Sequence, residues 1–100
     1  MTIQLYFVLD ENGEPVECDL MTYAQLKGDS QIALDQFGEV AVSTVFLGLN
    51  HARREGPPVL FETMIFGGPR DRYQRRYSTR KEAIEGHALA VLLAKGEREP

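Results

Sequence analysis

Three side chains have a chemistry that does not match their surroundings. Glu62 lies between Leu60 and Met64 on one face of the apolar run from Val59 to Phe66. A lone carboxylate is costly to bury in such a run, so it must be paired, protonated or wet. His87 sits at helical spacing among Ile84, Ala88, Val91 and Leu92, and His51 follows the β-branched run from Val40 to Leu49. If those two runs pair antiparallel under a C-terminal helix, His51, Glu62 and His87 converge. Two imidazoles and a carboxylate can hold a divalent cation, or act as a general base with an acid that orients it. The spacing gives little support to either. No His-x-x-x-His or His-x-x-Glu pair is present, and no phosphate-binding glycine loop. Ser43, Thr44, Thr63 and Ser78 offer hydroxyls, but none lies in a nucleophile elbow. The structural alternative buries His87 against a carboxylate or a main-chain carbonyl and lets Glu62 accept from an arginine or a tyrosine. No metal and no cofactor are expected, and the balance leans away from an enzyme.

A second constellation is basic. Arg70, Arg72, Arg75 and Arg76 are interleaved with Tyr73 and Tyr77, and Arg53 and Arg54 lie upstream. Guanidinium forks suit phosphates and carboxylates, and tyrosines can stack a base or close a protein interface. These eight residues are the expected surface for an anionic ligand or partner, unless the run is simply a solvated face. Charge is divided along the chain. Residues 1–50 hold eight acids and one base, a net of −7, whereas residues 51–100 hold ten bases and seven acids, a net of +3. The overall charge of −4 and the pI of 5.1 oppose general nucleic-acid binding.

As for the elements that must position these groups, 100 residues with 43% hydrophobic and 26% charged content make one globular domain, residues 1–100. Ile3–Leu9 reads as a strand ended by Asp10-Glu11-Asn12-Gly13. Pro15–Cys18 is a short extended piece, and Met21–Leu26 one or two helical turns with Asp19 as cap. Gln31–Phe37 alternates weakly, with Ile32, Leu34 and Gln36 on one face, though a short helix competes. Gly38-Glu39 fits a two-residue hairpin turn into Val40–Leu49. Asn50–Pro58 is a loop and Val59–Phe66 a strong strand, while Arg70–Tyr77 is a surface loop or short extended segment. Thr79-x-x-Glu82 is a capping box opening a helix that runs to about Lys95, with Gly96 as its stop. The fold class expected is α+β: an antiparallel β-meander of three to four strands packed on one C-terminal helix. Strands apolar on both faces point to a homodimer through the exposed sheet face. The single cysteine, Cys18, makes no internal disulfide. No run approaches the ~20 apolar residues of a membrane span, and no basic leader precedes Leu5, so a cytoplasmic setting is expected.

Three blocks resemble a known family. They are Val42-Ser43-Thr44-Val45-Phe46-Leu47-Gly48-Leu49-Asn50-His51, then Pro58-Val59-Leu60-Phe61-Glu62-Thr63-Met64-Ile65-Phe66, then Arg76-Tyr77-Ser78-Thr79 with Glu82-Ala83 and Gly86-His87. Together they are similar to a family of small uncharacterised proteins of tailed phages and prophages, over about half the chain. Asn50 stands where that family usually has aspartate, and Phe46 where tryptophan is frequent. The first departure removes the acid from any Asp-His pair at this position. The resemblance implies a phage origin and the host cytoplasm, and it singles out His51, Glu62, Thr63, Tyr77 and His87. The function expected is that of a small phage-type accessory protein that binds a host or phage protein. The alternative is a small-ligand- or nucleotide-binding protein, or a small enzyme, with its site around His51, Glu62 and His87.

Overall fold

The computed structural model describes residues 5–26, 30–52 and 56–96. In chain order these form β1 (Tyr6–Leu9), β2 (Pro15–Cys18), α1 (Leu20–Leu26), β3 (Gln31–Phe37), β4 (Val40–Phe46), β5 (Phe61–Phe66), β6 (Gln74–Tyr77) and α2 (Arg80–Ala94). Strands β3 to β6 make a four-stranded antiparallel sheet in sequential order, and α2 packs across one face of it. The fold is α+β, as expected. No helix among the described residues is long and apolar enough to cross a membrane.

Local chemistry sets the turns. Asp10 Oδ1 accepts from the amides of Asn12 and Glu14 at 2.8 and 2.9 Å, and Gly13 takes φ 78°, closing the β1–β2 hairpin. The Asp19 carboxylate accepts from the Thr22 amide at 2.8 Å and caps α1. That bond holds its pKa below the ordinary carboxylate value. At α2 the Thr79 hydroxyl accepts from the Glu82 amide at 3.1 Å, and the Glu82 carboxylate accepts from the Thr79 amide at 3.1 Å. This is the capping box read from the sequence.

The Arg70–Tyr77 segment takes its extended alternative over Gln74–Tyr77 and supplies the fourth strand, with Thr63 opposite Arg75 and Glu62 opposite Arg76. Three details differ from the sequence reading. β4 ends at Phe46 rather than Leu49, and β5 starts at Phe61 rather than Val59. A register shift between Gln31 and Ala33 makes Ile32 a bulge residue, so it leaves the face of Leu34 and packs into the core. The buried face of α2 is Ala83, Gly86, His87, Ala90 and Leu93, about one residue out of phase with the expected stripe, and Ile84 is 49% exposed. Small residues face the sheet because they let the helix axis approach it; the larger Ile84 is turned out.

The core has two apolar clusters. Phe7, Phe46, Leu60, Phe61, Tyr77 and Ala83 form one, and Val42, Ile65 and Ala90 the other. The β1–β2 hairpin reaches the first through Phe7. Its amide donates to the Gly48 carbonyl at 2.8 Å, and the Asn50 amide donates to the Leu5 carbonyl at 2.9 Å.

Candidate functional site

Between the two apolar clusters runs a belt of polar side chains. Thr44 in β4 and Thr63 in β5 are directly opposite each other and both face α2. Thr44 separates Val42 from Phe46, and Thr63 separates Phe61 from Ile65. Both threonines are fully buried. Their hydroxyl oxygens are 2.5 Å apart, and Thr44 Oγ1 is 2.7 Å from His87 Nδ1. The other ring nitrogen, His87 Nε2, is 2.7 Å from Asp35 Oδ2. The His87 side chain is 8% exposed and that of Asp35 is 55% exposed. A continuous hydrogen-bonded chain therefore leads from solvent at the β3 edge into the centre of the molecule.

The carboxylate fixes the sense of this chain. Ionised Asp35 only accepts, so His87 Nε2 carries a hydrogen. In the neutral ring Nδ1 then accepts from Thr44, and Thr44 accepts from Thr63. With a protonated ring, Nδ1–H donates to Thr44 and Thr44 donates to Thr63. In the neutral-ring arrangement every ring and hydroxyl hydrogen of the belt has an acceptor, which removes the desolvation cost of about 1–3 kcal/mol for each unmade bond; with the protonated ring the Thr63 hydrogen has no acceptor within the belt. Carboxylate, imidazole and hydroxyl in sequence is the order of a hydrolytic triad. Here the hydroxyl end is sealed under a helix, so the belt does not present a nucleophile to a substrate. What it does is tie β3, β4, β5 and α2 together.

Tyr77 borders the belt. Its hydroxyl lies against the α2 backbone at Gly86, where a Cβ would collide with it. Tyr77 Oη is buried and makes no hydrogen bond. Burial pushes its pKa above the ordinary tyrosine value of 10.0. The Thr63 hydroxyl pulls the other way, but without the distance and angles of a hydrogen bond to Tyr77 Oη.

The expected convergence of His51, Glu62 and His87 does not occur. Glu62 faces away from α2, because alternation puts it opposite to Thr63 along β5. It accepts from Arg76 Nε at 2.9 Å and from Gln74 Nε2, and its side chain is 13% exposed. His51 is exposed beyond the end of β4, with its amide bound to the Val59 carbonyl at 2.9 Å. Among the described residues no hydrogen bond or ion pair links it to Glu62 or His87, and no three His, Cys, Asp or Glu side chains could hold a metal ion together. Asn50, beside it, braces the loop. Its Oδ1 accepts from the amides of Ala52 and Val59 at 2.8 and 2.9 Å.

The arginine–tyrosine surface is also divided. Strand alternation sends Arg75 to the helix side, 5.7 Å over the Tyr77 ring, and Arg76 to the opposite side onto Glu62. Tyr73 packs half-buried on the Val42–Ile65–Ala90 cluster, and Tyr77 is buried in the core. Arg70 is half-buried, and Arg72 projects from the β5–β6 turn with φ 73°. Arg53 and Arg54 lie outside the described residues. Two shallow clefts of about 280 and 300 Å³ flank α2, and neither is lined by Glu62 or His87.

Sequence reasoning missed Asp35 as a member of the site and named Thr44 only as one of four available hydroxyls. Their signal was present: Asp35 shares a strand face with Ala33 and Phe37, and Thr44 shares one with Val42 and Phe46. A polar group inside an apolar alternation needs a buried partner.

No family model, curated protein or solved structure matches this chain. The resemblance to small phage proteins thus stands on its motifs alone. Several of those motif residues serve the fold. The Thr79–Glu82 box starts α2, Gly86 permits the close approach of Tyr77, and Thr44, Thr63 and His87 form the belt.

Proposed function

We propose that this chain is a small binding protein that docks a protein partner on the sheet face not covered by α2. The observation that carries this is the composition of that face. Leu34 and Phe66 are each 49% exposed, Ala41, Val45 and Met64 lie half-buried on the same face, and Ser43 sits between Leu34 and Met64 with its hydroxyl accepting from Gln31 Nε2 at 3.0 Å. Gln36, Gln74 and the Glu62–Arg76 pair form its polar rim. An apolar patch rimmed by polar side chains is the usual anatomy of a protein interface. The interior polar belt, by contrast, meets solvent only at the Asp35 carboxylate and keeps its hydroxyls buried under α2, which supports a binding role over a catalytic one. Following the motif resemblance, the partner is a host or phage protein.

Photocrosslinking tests this. Benzoylphenylalanine at Phe66 samples the open face, and at Ile84 it samples the outer side of α2. A single discrete adduct from Phe66, lost when Met64→Glu is added and absent from Ile84, is expected. Equal labelling from both positions would remove the reading.

A further inference from the structure

The four-stranded sheet has two outer edges, β3 and β6, and neither is paired among the described residues. Their main-chain chemistry can be read from the register. The two-residue turn at Gly38-Glu39 makes Phe37 and Val40 a hydrogen-bonded pair, so Ala33, Asp35 and Phe37 direct their main-chain groups to β4. Leu34 and Gln36 then direct their N–H and C=O groups outward. On the other side, Ile65 N–H donates to the Tyr73 carbonyl at 3.0 Å, so Gln74 and Arg76 are the outward residues of β6.

The two edges are not equally protected. Short length and charged side chains are the usual defences of an edge strand. β6 has four residues, of which Arg75 and Arg76 are charged. A two-fold pairing of β6 with itself centred on Gln74, Arg75 or Arg76 sets Arg76 against Arg72, Arg75 against Arg75, or Arg76 against Arg76. Like charges directly opposite one another destabilise a strand pair. β3 has seven residues with Asp35 as the lone charge and no proline. The two-fold register centred on Asp35 is disfavoured for the same reason, and one centred on Gln36 runs Leu34 into Gly38 of the turn. The register centred on Leu34 meets neither obstacle. It sets Leu34 against Leu34, Asp35 against Ala33 and Gln36 against Ile32. Each Asp35 is left diagonal to its twin and turned toward its own His87.

We infer that β3 is a self-association edge, occupied by a second copy of this chain in antiparallel register about Leu34. The product is a continuous eight-stranded sheet with α2 of both copies on one side. The half-exposed Leu34 gains a hydrophobic partner, and the outward main-chain groups of Leu34 and Gln36 gain hydrogen bonds. The two open faces become one, twice as wide. Self-association at this edge is independent of docking at Phe66 and Met64, because the edge and that part of the face carry different residues.

Sedimentation equilibrium of the full chain, taken to about 100 μM because an edge contact of this size is at the weak end of specific interfaces, should give a mass that rises to two chains and stops. Leu34→Lys should weaken association at least tenfold and leave the thermal midpoint unchanged, since residue 34 is half-exposed. In a Cys18→Ser background, mild oxidation should crosslink Leu34→Cys, whose Cα atoms lie about 5.5 Å apart in a hydrogen-bonded pair. Gln36→Cys, four residues out of register with its twin, should stay uncrosslinked. A monomer throughout, undiminished association of Leu34→Lys, or equal crosslinking at both positions overturns the inference. So does growth past two chains: pairing β3 with β6 would set Asp35 against Arg75 and continue without closure.

Discussion

Glu62 and Thr63 are neighbours in β5, and their fates are opposite. Thr63 turns toward α2, is fully buried and is held by another buried hydroxyl. Glu62 turns the other way and is held by Arg76 and Gln74 at the margin of an open apolar face. The covered side of the sheet has its polar atoms paired internally, Tyr77 Oη excepted, and a helix at close approach. The uncovered side keeps its ion pair at the rim and leaves Leu34 and Phe66 half-exposed. The difference teaches that the conspicuous buried polar cluster is an element of stability, whereas the blander face has surface left to give to a partner.

The contrast can be broken most forcefully at His87. His87→Ala leaves a cavity between Thr44 and Asp35 and deprives Thr44 of a partner, and should lower unfolding free energy in urea by about 3 kcal/mol. Gly86→Ala drives a Cβ into the Tyr77 hydroxyl. It should cost about 2 kcal/mol even though alanine is the better helix former. Tyr77→Phe removes the unpaired hydroxyl and should stabilise by about 1 kcal/mol at neutral pH.

The same residue carries a pH signature. Burial raises the Tyr77 pKa in the folded state, so near and above pH 10 the unfolded chain loses its proton first and binds fewer protons. Stability should be fully present below about pH 10 and fall as pH rises through the folded pKa. Tyr77→Phe should flatten that alkaline limb, and an unchanged limb would show that another group controls it.

On the open side the expected changes shrink. Glu62→Ala breaks a rim pair whose Arg76 side chain is 44% exposed, and should cost under about 1 kcal/mol. Phe66→Ser should change the unfolding free energy in urea least of all, by less than about 0.5 kcal/mol. A large loss of stability from Phe66→Ser would mean that this face is packed within the chain itself.

Much of the architecture was legible in local pattern. The capping box at Thr79 and Glu82, the hairpin turn at Gly38, the Asp19 cap and the β-branched run of β4 all follow from short-range chemistry. The candidate site was less legible. Alternation separates Glu62 from Thr63 in any strand, but Phe61, Thr63 and Ile65 make one face about as apolar as Leu60, Met64 and Phe66 make the other. Nothing local says which of them meets a helix. The expected triad of His51, Glu62 and His87 chose the wrong face for that reason. The buried stripe of α2 was placed one residue out of phase because large apolar residues outweighed the small ones that permit contact.

By itself the chain determined the helix caps and the tight turns that join the strands, since turn glycines and capping side chains act within a few residues. Only the tertiary structure decided which sheet face the helix covers, and that choice put Asp35, Thr44, Thr63 and His87 in one chain of hydrogen bonds. The physical reason is distance along the sequence. Asp35 and His87 are 52 positions apart, and which partner satisfies a buried polar group is settled by the packing of whole elements rather than by any neighbour in sequence.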